Sequence, residues 1–191
     1  MRYEFLVDTY ATERVKVVSV WSEFRDGDLP IRPRAGDPRG RSVHEQMVHQ
    51  CVSEDLWFRT MLGIDVGAPP LPASETRREF MKRYAEDSGK RLAELQSKDE
   101  AWWEGESSFF DVGRSRAWIM VRRMTHTSHH RGQLMAMLRM LGHSCIVTMA
   151  QRRIRAGLCR IMRPRFMRTG VWRSCCGMGR RGSCRGQAGR L

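Results

Sequence analysis

Two histidines four residues apart, His126 and His130, are the side chains in this sequence best placed to do chemistry together. They lie in the run His126-Thr-Ser-His129-His130-Arg131-Gly132-Gln133, inside a segment from about Gly113 to Leu141 whose pattern predicts one helix. On a helix of about 3.6 residues per turn such a pair stands on one face, one turn apart, and both imidazoles can reach one metal ion. Ile119, Met137 and Leu141 recur on the same stripe, so the pair is expected to face an apolar interior rather than water. An isolated pair of this kind is more often hydrogen-bonded within a core than a ligand set. A third histidine on another predicted helix shifts that balance.

The other elements must position this pair. Residues 3–23 read as a first helix, with Leu6, Tyr10, Val17 and Trp21 lining one face and Glu13 and Lys16 left to solvent. Residues 24–41 carry Pro30, Pro33 and Pro38 among Gly and Asp residues, which predicts a long crossover loop. Ser42 with Glu45 three residues on is a capping box that opens a second helix, and Gly63 closes it after about Leu62. Met47, Cys51, Phe58 and Leu62 form its main apolar stripe. His49, Val52 and Leu56 form a neighbouring one, so His49 sits at the edge of the buried face. His44 is five residues from His49, roughly 140° around the helix, and cannot share its direction.

A proline-rich linker at 64–73 leads to a third helix, about 75–97, with Ser74 as its cap. Phe80, Tyr84, Leu92 and Leu95 are its inward candidates, and its Arg, Lys and Glu residues are read as a solvated face. Residues 98–112 break the pattern. Trp102 and Trp103, with acids around them, are expected to pack on the bundle, and the chain there can dip into a short extended segment. The last helix is rich in methionine, which fills irregular cores, and it stops at Gly142.

The chain has 191 residues and a formal charge of +13, but the excess is local. Residues 1–150 hold 22 of the 34 Lys and Arg and all 21 Asp and Glu. Residues 151–191 hold 12 arginines and no acid. Cys159, Cys175, Cys176 and Cys184 also lie in that ending, so the body shows no secreted disulfide scaffold. The division expected is a bundle over 1–145 and an Arg/Gly/Cys-rich tail over 146–191. Three readings compete for the tail: a basic arm for nucleic acid, a solvated low-complexity segment, or an out-of-frame ending. The abrupt loss of pattern fits the last best. From about residue 163 the tail is expected to be poorly ordered, while 146–162 keep some helical period. No apolar run is long enough for a membrane span, and the first residues lack the order of a secretory signal, so a cytoplasmic location is expected.

A histidine on the second helix within His49-Gln-Cys-Val-Ser-Glu-Asp-Leu-Trp-Phe, and Thr125 to Gln133 on the fourth followed by Leu138 to Gly142, resemble the DinB-like family of metal-binding four-helix bundles. The resemblance covers about residues 1–143, and the fourth-helix block is its specific part. It implies an all-α four-helix bundle, often a homodimer, in which His49, His126 and His130 hold a divalent metal, nickel or zinc. His129 points about 100° away from His130 and is left out. Some relatives resemble thiol S-transferases that use low-molecular-weight thiols such as bacillithiol or mycothiol. A small-molecule substrate, with such a thiol as the candidate, is therefore implied. Three neutral imidazoles leave coordination positions for water or substrate, the pattern of a catalytic site. The alternatives are a related metal-dependent hydrolase, a non-catalytic metal-binding stress-response protein, and nucleic-acid binding through the tail.

Overall fold

The computed structural model describes residues 2–143; the readings made for the chain's ending lie outside them. Four long helices are α1 (Glu4–Ser22), α2 (Val43–Met61), α3 (Arg77–Gln96) and α5 (Arg116–Met140). Between α3 and α5 come a single turn, α4 (Glu100–Glu104), and an antiparallel hairpin of β1 (Glu106–Phe109) and β2 (Val112–Ser115). Helix α1 packs on α3 and α5, and α2 packs on the same two, so the long helices close into a four-helix bundle. Among the described residues no helix is long and apolar enough to cross a membrane.

Local sequence sets the helix boundaries. The Ser42 hydroxyl accepts from the Glu45 amide at 3.1 Å, and the Glu45 carboxylate accepts from the Ser42 amide at 2.8 Å. This is the capping box expected at the start of α2. Gly63 and Gly142, at φ 67° and 71°, adopt the left-handed conformation that ends α2 and α5. The 24–41 connection returns its carbonyls to α2: Val43 N–H donates to Ile31 O at 3.1 Å and His44 N–H to Leu29 O at 2.9 Å. Those amides have no partner within their own helix, so the crossover covers the end of the helix that carries His49.

Two boundary expectations change, and one is met. Thr76, not Ser74, caps α3, its hydroxyl accepting from the Glu79 amide at 3.3 Å. Both residue types cap well, and the two-residue offset is not visible in composition. Helix α5 starts at Arg116 instead of near Gly113, because Gly113 pairs with Ser108 in the hairpin and Ser115 serves as cap. The extended dip expected before the last helix is this hairpin, turned at Phe110-Asp111.

The interior is two apolar clusters separated by a polar belt. One cluster includes Leu6, Tyr10, Phe58, Leu62, Leu95, Trp103 and Ile119. The other includes Val17, Trp21, Met47, Phe80, Tyr84, Leu134 and Met137. The predicted inward face of α1 is confirmed, and Trp103 packs into the bundle with no exposed surface. Between the clusters each long helix contributes polar residues that are nevertheless buried: Glu13, Glu54, Arg91, Thr127 and His130 among them. Two solvated-face expectations therefore fail. Glu13 is only 8 % exposed and pairs with Lys16 and Arg131, while Arg91 is 1 % exposed. Each is drawn inward by a partner on its own or another helix.

Ser42→Ala removes one half of the capping box and is expected to destabilise the bundle by about 1 kcal/mol. Urea denaturation should show a lower midpoint with an unchanged slope.

Candidate metal centre

Helices α2 and α5 bring His49, His126 and His130 to one point. The three Nε2 atoms stand 3.3 Å (His49 to His126), 3.1 Å (His49 to His130) and 3.2 Å (His126 to His130) apart. The i, i+4 spacing supplies the α5 pair, and the contact of α2 with α5 supplies the third ring. Imidazole nitrogens around one ion at about 2.0–2.1 Å lie roughly 2.8–3.0 Å apart in six-coordination and roughly 3.3–3.4 Å apart in four-coordination, so this triangle falls in the range of a single divalent cation. The group is all histidine.

Ring orientation is set from behind. His130 Nδ1 lies 2.9 Å from Gln46 Oε1 and 3.1 Å from Gln133 Oε1. Carbonyl oxygens only accept, so Nδ1 carries the proton and Nε2 presents its lone pair to the centre of the triangle. Gln46 Nε2 donates to Gln133 Oε1 at 2.8 Å, which ties the two supports across the helix interface. His126 is held differently. Its Nδ1 is 3.4 Å from the Arg123 guanidinium, a donor-only group, and its ring lies 5.6 Å from that of Trp57. Arg123 donates to Ser53 at 3.0 Å and to Glu54 at 3.3 Å, and its guanidinium sits over Trp57.

Beneath the rings lies the charge that anchors this arrangement. Glu54, without solvent exposure, accepts from Tyr10 at 2.7 Å and Tyr84 at 2.9 Å and pairs with both Arg91 and Arg123. Asp55 adds a second carboxylate 3.1 Å from Arg91. Burial and the neighbouring Glu54 carboxylate hold both tyrosine hydroxyls protonated far above their ordinary value.

The rings themselves are kept neutral. Burial, then Arg123 and the neighbouring imidazoles, lower His126 from the usual 6.5 to about 3. Burial and then His49 lower His130 to about 4, and burial followed by Arg41 and Arg123 lowers His49. Neutral imidazole is the form that ligates a metal.

The pair is less enclosed than its stripe implied. His130 is buried, whereas His49 and His126 are partly exposed, so the triangle lies at the edge of the interior with one side towards solvent. The excluded histidines stay outside it. His44 pairs with Glu75, and His129 lies 3.0 Å from the Gln133 amide nitrogen. Sequence reasoning missed Gln46, Gln133 and Arg123. All three stand one turn from a triad member on the same helix, a spacing that marks them as neighbours once the triad is known.

Fold and site together define a helical bundle bearing a three-histidine cluster between its second and last long helices. The DinB family model matches residues 6–157, and the chain belongs to the DinB family. That span runs past Gly142, where the resemblance read from the sequence ends. A DinB-like protein from Bacillus cereus ATCC 10987 superposes with a TM-score of 0.65 at 15 % identity, over 74 % of this chain and 93 % of that one. A DinB-like protein from Bacillus subtilis, YjoA, superposes with a TM-score of 0.59 at 18 % identity, over 73 % and 93 %. These two are similar to this chain in fold. No curated protein matches it.

Glu54→Ala leaves two guanidiniums buried without their shared carboxylate and is expected to destabilise the bundle by about 3–5 kcal/mol in chemical denaturation. The histidines set a pH dependence in metal-free protein. An unfolded chain protonates them near 6.5, but the folded one does not until about 4 for His130 and about 3 for His126. The unfolded state then binds more protons in that window, so stability is complete above 6.5 and falls as pH drops towards about 4. Urea midpoints measured from pH 7 to 4.5 should decline, and less steeply in His126→Asn.

Proposed function

We propose that this DinB-family protein is a divalent-metal protein acting in the cytoplasm, with His49, His126 and His130 as its ligands. The carrying observation is the convergence of three neutral Nε2 atoms at 3.1–3.3 Å. Nitrogens facing one another at that range repel unless a proton or a cation lies between them; in metal-free protein the Nε2 proton of His126, whose Nδ1 faces the Arg123 donor, fills that place, and a bound cation displaces it. Imidazole suits zinc, nickel, copper and iron alike, and nickel or zinc is the choice the family resemblance implies. The reaction class best supported is transfer of a low-molecular-weight thiol to a small electrophile. A divalent ion, when bound there, lowers the pKa of a coordinated water or thiol and so supplies a nucleophile near neutral pH.

The chain's own residues have distinct parts in this reading. The three histidines bind without adding negative charge, which leaves the ion's full charge to act on a ligand. Gln46 and Gln133 fix the tautomer and plane of His130. Trp57 covers one side of His126 and limits water there, while the partly exposed edges of His49 and His126 leave a route for a small molecule. Self-association into a homodimer, implied by the family, belongs to the same proposal and is tested by sedimentation.

Purified protein should retain about one equivalent of nickel or zinc per chain in elemental analysis. His130→Ala should lose most of it without unfolding, because the apolar clusters do not depend on the ion. Wild-type protein should consume an electrophile in the presence of one member of a thiol panel and stop on chelation. Metal retention without turnover for any thiol would favour the non-catalytic alternative. A wild type that holds no more metal than His130→Ala would end the proposal.

A further inference from the structure

His49 shares its face of α2 with Val52 and Leu56, at i, i+3 and i+7. An apolar stripe at that spacing ordinarily enters a core. Here Val52 is 39 % and Leu56 43 % exposed, so the stripe that begins at the triad runs along open surface. It leads towards the hairpin. Trp57 stands 5.6 Å from His126 and 5.2 Å from Phe109, and Phe109 stands 4.8 Å from Phe110 and 5.0 Å from Trp118. The aromatic series is thus continuous from a triad ring to the hairpin turn.

Phe110 at the end of that series is out of place on structural grounds alone. It is the first residue of a two-residue turn, its φ is 53°, and 65 % of its surface is exposed. Bulky side chains disfavour positive φ, and Gly or Asn would make such a turn without strain. Burial returns little to offset that conformation. An unfavourable backbone that displays an aromatic ring against Trp57, at 6.4 Å, and so one ring removed from His126, is a sign of a ligand contact.

We propose that this strip, from Val52 and Leu56 to Phe110, is the subsite for an aryl or benzyl group on the small molecule held at the three-histidine centre. The inference rests on the metal-binding reading above and adds a substrate class to it: ligands with an apolar aromatic arm. Ring stacking gives the strip its preference, since offset and edge-on aromatic contacts add to the area buried.

Cobalt-loaded full-length protein, with cobalt as a coloured stand-in for zinc, is titrated with benzyl mercaptan and with 2-mercaptoethanol, following the thiolate-to-cobalt absorption band. Benzyl mercaptan is expected to bind roughly three- to tenfold more tightly. Phe110→Gly suits the turn and leaves the histidines untouched. It should bring the ratio close to one, with cobalt content and 2-mercaptoethanol affinity unchanged. A merely structural Phe110 would leave the ratio intact and the variant at least as stable, which overturns the proposal. Equal binding of the two thiols by the wild type overturns it as well. So does a strip that serves instead as a contact between two copies, seen as a change in sedimentation on Phe110→Gly with the thiol preference retained. A second arm separates failure of the metal reading from failure of the strip. In metal-free protein, benzyl alcohol but not ethanol should shift the indole N–H signals of Trp57 and Trp118, and Phe110→Gly should weaken that response. No shift there counts against the strip whatever the cobalt result.

Discussion

One buried carboxylate holds the middle of this bundle together. Glu54 meets two tyrosine hydroxyls and two guanidiniums, and its partners come from every other long helix: Tyr10 on α1, Tyr84 and Arg91 on α3, Arg123 on α5. Bringing such charges out of water is expensive, and it is tolerated where each polar atom finds a partner in good geometry. The network therefore fixes how far the helices can slide or rotate. An apolar core of interchangeable side chains would specify that less sharply.

The triad inherits this constraint. Arg123 touches Glu54 on one side and His126 on the other, so the ring is positioned by the same group that neutralises the buried charge. His130 is positioned independently, through Gln46 and Gln133. The two α5 histidines look alike in sequence and share a face, yet one is braced by amide oxygens and the other by a cation. That difference decides which ring presents a lone pair at rest and which has a donor at its back.

Much of the fold was legible because apolar spacing reports helix faces directly. Leu6, Tyr10, Val17 and Trp21 are buried as their spacing implies, and the Ser42–Glu45 capping box and Gly142 mark true helix ends. The three histidines were legible through the His126–His130 spacing together with family resemblance, and the structure brings them together. What stayed hidden was polar. Glu13 and Arg91 read as solvent-facing because charge usually means exposure, Glu54 and Arg123 stood out by no spacing at all, and the partners of Glu54 lie 30 to 69 residues away along the chain. No local pattern reports a pairing of that range. The hairpin was hidden for another reason: Phe110-Asp111 lacks the Asn-Gly or Asp-Gly signal of a tight turn.

The triad also has an order in time. Its members come from the second helix and the last, with His49 preceding His130 by 81 residues. On a ribosome His49 emerges alone, and no neighbouring histidine of its own helix shares its direction. The complete triangle arises only when α5 has been made and docked against α2. Occupation of the proposed centre is thereby tied to completion of the bundle, and a half-made chain offers a scavenging cation one imidazole where the finished protein offers three.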